Sequence, residues 1–188
     1  RRHRLRRYRA VIFDMDGVIT DTAGVHAQAW KELFDGALPA VGALPANAAV
    51  VAADPDVLRP FDAAADYLHH VDGRPREDGV RTFFASRGLR VPEADAPEAD
   101  AAPELTVLAL AERKQGYFEQ VLERDGVRVF PEAQDLLERL RAKGVPVALV
   151  TSSKNSRAVL TAGGVLDFFP VIVDGNTAVE RGLPGKPD

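Results

Sequence analysis

The hydrophobic pattern changes period along this chain. "YRAVIF", residues 8–13, is a short β-rich apolar run of the kind a buried parallel strand needs. From 22 to 34 the spacing becomes helical: Val25, Trp30, Leu33 and Phe34 fall near one face, and Thr22 is placed to cap the helix. "GALPAVGALPANAAVVAADP" then loses periodicity, and its Ala- and Pro-rich composition predicts a flexible insertion. "FDAAADYLHHV" and "REDGVRTFFASRG" read as short amphipathic helices, the latter ending at Gly88. The acidic "VPEADAPEADAAPE" predicts a mobile link. A longer helix from about 104 to 124 follows, and another from 132 to 143 stops at Gly144.

After Gly144 the pattern turns to strand, helix, strand: "VPVALV" (145–150), "SKNSRAVLTAG" and "FPVIV" (169–173). Short connections between such elements imply a parallel sheet with helices on its faces. The helical middle is then an insertion after the first strand. The expected fold class is α/β: a Rossmann-like parallel core from 1–21 and 129–188, carrying an inserted helical cap over 22–128. The chain stops at "GLPGKPD", so the core is expected to lack its C-terminal part.

Composition narrows the function classes. With 46% hydrophobic and 28% charged residues in 188, the chain is of ordinary globular make-up. The absence of cysteine excludes disulfides and thiolate metal sites and suits a cytoplasmic location. No apolar run approaches a membrane span. A net charge of −4 gives no general attraction to nucleic acid. The basic start "RRHRLRRYR" lacks the apolar centre of a signal peptide and reads as a solvated tail. The partner expected is a small molecule, and the expected state is a monomer.

In an open parallel sheet, ligands bind beyond the carboxyl ends of the strands. Polar clusters fall there: Asp14-Met15-Asp16-Gly17 after the first strand, Thr151-Ser152-Ser153-Lys154 after the next, and Lys186 beyond the third. Carboxylates, hydroxyls and an ammonium can together neutralise a phosphoryl group and hold a hard cation. Asp14 and Asp16, two apart, face the same side of a continuing strand. One carboxylate can attack phosphorus while the other moves the proton. The bland alternatives are helix caps for the acids and hydroxyls, a solvated turn for Arg76, and a core histidine for His26.

"FDMDGVITDT" resembles the first signature of the haloacid dehalogenase superfamily, D-x-D-G-[TV]. "GRPRED", "ERKQGYF", "VFPEAQDLLERL", "LVTSSKN" and "GKPD" continue the likeness, in order, to the β-phosphoglucomutase-like subfamily. The resemblance implies that Asp14 is the nucleophile that becomes an aspartyl phosphate and Asp16 the general acid and base. It implies Mg²⁺ held by the Asp14 carboxylate and the Asp16 backbone carbonyl. It assigns Thr151 to the phosphoryl group, Ser152, Ser153, Lys154 and Asn155 to the phosphate loop, and Lys186 to charge balance. Thr22 and His26 match hinge and substrate-facing positions, and Arg76 matches a cap arginine that grips the non-reacting phosphate.

The chain also departs from that pattern. It ends before the family's fourth, acidic motif; Asp72 stands where the mutase has lysine; Gly79 replaces a small hydroxyl residue. The implied function is a Mg²⁺-dependent phosphotransferase converting β-glucose 1-phosphate to glucose 6-phosphate. The alternatives are a sugar-phosphate phosphatase on the same scaffold and an inactive fragment lacking the last metal-binding motif.

Overall fold

In the computed structural model, which describes residues 9–184, the first apolar run becomes strand β1 (Val11–Phe13). The strands after Gly144 form as β4 (Val147–Val150) and β5 (Val171–Val173). The sheet is parallel in the order β1-β4-β5, with Phe13 opposite Leu149 and Leu149 opposite Ile172. Buried Phe13 and Leu149 lie on one face, and the Phe13 ring meets Phe169 edge-on. On the other face Ile12, Ala148 and Val171 share a register line, and Ile12 and Val171 are exposed.

Two short strands were not legible in the pattern. β2 (Thr20–Asp21) pairs antiparallel with β3 (Arg128–Val129), and Arg128 closes on Asp21 at 2.7 Å. Two residues carry no usable alternation, so only the tertiary pairing reveals them. Helices α5 (Pro131–Ala142) and α6 (Ser156–Ala162) sit where the pattern put them. A further helix, α7 (Gly175–Arg181), follows β5; Asp174 caps it by accepting from the Thr177 amide, and Gly182 ends it at φ +59°.

The chain divides into two compact units, described residues 9–24 with 122–184, and residues 25–121. The second is all-helical. Helix α1 runs Ala23–Gly42, well past the expected end at 34. Ala37, Leu38 and Val41 extend the buried stripe of Trp30, Leu33 and Phe34, which explains why the helix continues. The expected flexible insertion is therefore ordered: it completes α1, forms helix α2 (Ala48–Ala53), and is tied down by Asn47. The Asn47 side chain donates to the Val41 and Arg90 carbonyls at 2.8 and 2.9 Å and accepts from the Arg90 amide.

The acidic link is likewise built into the structure. Ala99, Ala102 and Leu105 are buried, and Arg81 grips Glu93 through a bidentate pair at 2.7 and 2.9 Å. Residues 103–105 form a tight turn, so helix α4 starts at Val107 (Val107–Asp125), capped by the Thr106 hydroxyl on the Ala109 amide. "FDAAADYLHHV" yields a single π-helical turn, Tyr67–Val71, because Asp62 takes the Ala64 and Ala65 amides into a local turn. Helix α3 (Arg76–Ser86) forms as expected.

The core of this unit is aromatic. Phe34 stacks on Phe83 with centroids 3.9 Å apart, and Trp30, Phe61 and Phe84 surround them. Arg87 is buried beside it, paired to Asp66 at 2.8 Å, bonded to the Val57, Arg59 and Pro60 carbonyls, and seated over the Phe83 ring. No single helix among the described residues is long and apolar enough to cross a membrane.

Candidate active site

At the end of β1 the two-residue alternation persists. Met15 is fully buried while Asp14 and Asp16 on either side are exposed. The Met15 carbonyl accepts from the Val18, Ile19 and Thr20 amides, folding the chain into a tight turn that Gly17 permits at φ +75°. The turn returns as β2, and the Thr22 hydroxyl donates to Asp16 Oδ1 at 2.6 Å. Thr22 thus orients the Asp16 carboxylate. Asp14 Oδ1 accepts its neighbour Met15's amide at 2.9 Å.

Because Phe13 stands opposite Leu149, the chain leaves β1 and β4 at matching heights, which brings Asp14 and Thr151 to the same end of adjacent strands. Thr151 is buried; its amide donates to Val173, and its hydroxyl accepts from the Ser153 amide at 3.2 Å. The Ser153 hydroxyl in turn accepts from the Asn155 amide. Ser152 and Lys154 are exposed on this loop. Burial pushes Asp174 up, but hydrogen bonds from Ser156, Thr177 and the Asn176 amide outweigh it and hold the carboxyl below its ordinary value. Of the residues singled out in the sequence, Asp14 and Asp16 follow β1, Thr151 and the loop 152–155 follow β4, and Thr22 is bonded to Asp16. Lys186 lies outside the described residues.

His26 and Arg76 belong to the helical unit, where they meet a residue the reading missed. Lys114, on α4, lies buried with its Nζ 2.7 Å from His26 Nδ1. It also sits over the rings of Trp30 and Phe118, and His26 stacks on Phe118. Burial, with Arg76 nearby, lowers Lys114 to about 7. Burial, then Lys114 and Arg76, lower His26 to about 3. His26 is therefore neutral, and its Nδ1 accepts from Lys114, leaving the ring proton on Nε2. Arg76 donates to Gln115 Oε1 at 3.1 Å from an exposed position. The signal for Lys114 was present: it interrupts the buried stripe Leu110, Ala111, Phe118, Val121 of α4, where lysine is seldom buried without a partner.

Gly79 marks a close approach. A methyl at its Cα would meet the Trp30 ring at 3.0 Å, so the hydroxyl residue of the family pattern would fit there only if the ring gave way. Asp72 is exposed just after the π-helical turn.

The oxygens of Asp14 and Asp16 are hard donors of the kind a small divalent cation takes. Among the described residues no group of three or more His, Cys, Asp or Glu converges.

A model of the haloacid dehalogenase-like hydrolase family matches residues 8–188. A β-phosphoglucomutase of Mycobacterium tuberculosis is 42% identical over 179 residues, 95% of this chain and 64% of that protein. The chain thus spans a little under two thirds of that relative's length. Among solved structures, a haloacid dehalogenase family hydrolase from Deinococcus radiodurans, with bound phosphate and sodium, superposes with a TM-score of 0.56 at 23% identity, covering 96% of this chain and 62% of its own. A mutant of CbbY from Rhodobacter sphaeroides in complex with xylulose-(1,5)bisphosphate gives 0.57 at 19%, covering 89% and 64%. These two likenesses concern the fold.

Proposed function

Since the chain belongs to the haloacid dehalogenase-like hydrolase family, we propose that it carries the phosphoryl-transfer half-site of a sugar-phosphate mutase of the β-phosphoglucomutase type. The observation that carries this reading is the pair Asp14 and Asp16, exposed on either side of buried Met15 at the end of a parallel strand, with Thr151 at the end of the next. The 42% identity to a mycobacterial β-phosphoglucomutase supports the mutase over other acceptors.

Asp14 is the nucleophile. Its carboxylate oxygen attacks phosphorus, an O–P bond forms, and the bond from phosphorus to the sugar oxygen breaks. Asp16, oriented by Thr22, gives the departing oxygen its proton and later takes one from the hydroxyl that accepts the phosphoryl group. Phospho-Asp14 first phosphorylates the C6 hydroxyl of β-glucose 1-phosphate; the bisphosphate then returns its C1 phosphate to Asp14, releasing glucose 6-phosphate. Thr151 and the loop 152–155 hold the transferring group, and Lys186 balances its charge. The Asp14 carboxylate and the Asp16 carbonyl would hold Mg²⁺, which when bound would neutralise the charge gathered there. Lys114, Arg76 and the His26 ring edge are suited to a second, non-reacting phosphate.

The test is a phosphorus NMR time course with Mg²⁺, β-glucose 1-phosphate and a trace of glucose 1,6-bisphosphate. Glucose 6-phosphate without inorganic phosphate supports the mutase; inorganic phosphate alone assigns water as the acceptor and makes the protein a phosphatase. Asp14→Asn is expected to lower either activity by ~10⁴-fold or more. No turnover by a folded sample would sink the reading for this chain and leave the inactive fragment.

A further inference from the structure

Two bonds inside the loop 151–155 shape it from within, and the start of α7 holds its carbonyls from outside. Gly175 N donates to the Ser153 carbonyl at 3.0 Å, Asn176 Nδ2 donates to the Lys154 carbonyl at 2.9 Å, and Asp174 Oδ2 accepts from buried Ser156 Oγ at 2.6 Å. The approach is as close as backbones allow. A Cβ on Gly175 would stand 2.5 Å from the Ser152 carbonyl oxygen and 2.9 Å from the Lys154 side chain. The φ of Gly175 is not in the left-handed region, so the reason for glycine there is space and not conformation.

This contact decides where the loop's amides point. In a trans peptide the C=O and the next N–H are antiparallel. Pulling the Ser153 carbonyl toward Gly175 therefore turns the Lys154 N–H away from α7. Likewise the Asn176 bond to the Lys154 carbonyl turns the Asn155 N–H away, where Ser153 Oγ receives it. The Ser153 amide is taken by Thr151 Oγ1. The amides of Ser152 and Lys154 donate to no acceptor among the described residues, so alternate N–H groups are left for an anion.

We propose that Asp174, Gly175 and Asn176 are positioning residues for the phosphate loop: they fix its carbonyls from behind and so aim its amides at the transferring phosphoryl group. The inference rests on the reading of 151–155 as a phosphate loop. It adds the residues after β5, which neither the strand-end motifs nor the resemblance assigned. Asp174 ties β5, α6 and α7 together, since its other oxygen takes both the amide and hydroxyl of Thr177.

The experiment is a titration of the full chain with inorganic phosphate, followed by amide NMR at Ser152 and Lys154. It compares Gly175→Ala, Asp174→Ala and Asp174→Asn with Leu160→Ala, a buried residue of the same unit remote from the loop's hydrogen bonds. Gly175→Ala and Asp174→Ala should weaken phosphate binding at least ~10-fold, and Asp174→Asn, which keeps an acceptor for Thr177 and a donor for Ser156, should recover most of it. Leu160→Ala should lower the melting temperature as much or more and leave the affinity unchanged. Wild-type affinity in Gly175→Ala, or equal loss in Leu160→Ala, overturns the proposal. If the wild-type chain binds no phosphate, the reading of the loop fails. The ligand-free spectra then decide the clamp alone: unmoved Ser153 and Lys154 amides in Gly175→Ala overturn it, and displaced ones uphold it.

Discussion

Lys114 sits where water does not reach, with two aromatic faces and an imidazole nitrogen for company. Its lowering from 10.5 to about 7 has a defined sign for stability. Between those values the unfolded chain holds a proton that the folded chain has lost, so stability rises with pH across that window, and below about 7 the penalty is complete. His26 acts the same way lower down, destabilising the fold as pH falls from 6.5 to about 3. Lys114→Met is therefore expected to be more stable than wild type at pH 6, by on the order of a few kcal/mol, and to lose part of the rise in stability above pH 7. Thermal melts from pH 5 to 10 check this; parallel curves for the two proteins would refute it. An anion brought to His26, Lys114 and Arg76 would raise Lys114 again. Arg87 is the opposite case: a buried cation with a structural task. Asp66→Ala leaves it without its carboxylate and should cost roughly 3–5 kcal/mol in urea unfolding, since the freed guanidinium stays buried.

At the scale of elements, Gly79 records a packing decision. α3 lies against Trp30 so closely that Gly79→Ser, the hydroxyl of the related pattern, should destabilise by about 1–3 kcal/mol, read from the shift in denaturant midpoint. The elements also show what the sequence can reveal. β1, β4 and β5 were visible because a buried parallel strand is a short apolar run between breakers, and Gly144 and the acids of 14–16 supply those breakers. The Ala- and Pro-rich stretch misled for a physical reason: alanine carries little hydrophobic contrast, so the stripe through Ala37, Leu38 and Val41 was masked by Pro39 and its neighbours. Its order comes from long-range bonds such as Asn47 to Arg90, 43 residues away, which no local pattern encodes. At the candidate site the strand-end acids and hydroxyls were legible from position alone. Lys114 left only the trace of a cation in an apolar stripe, and Gly175 left none, because their meaning lies in what packs beside them.

For the whole molecule, binding at the candidate site is linked to stability. Ligands that bind only the folded state stabilise it, by about 2.7 kcal/mol at a hundredfold excess over the dissociation constant. Inorganic phosphate with Mg²⁺ should therefore raise the melting temperature, and Asp14→Asn should remove the Mg²⁺-dependent part; scanning calorimetry with and without each ion checks both. Met15 extends this to a direct readout. It is the single methionine among 188 residues, fully buried, and its carbonyl anchors the turn between Asp14 and Asp16. A chain labelled with ¹³C at the methionine methyl carries one native resonance, placed in the floor beneath the carboxylates. Its position and width report the occupancy and motion of that floor without assigning any other signal in the spectrum.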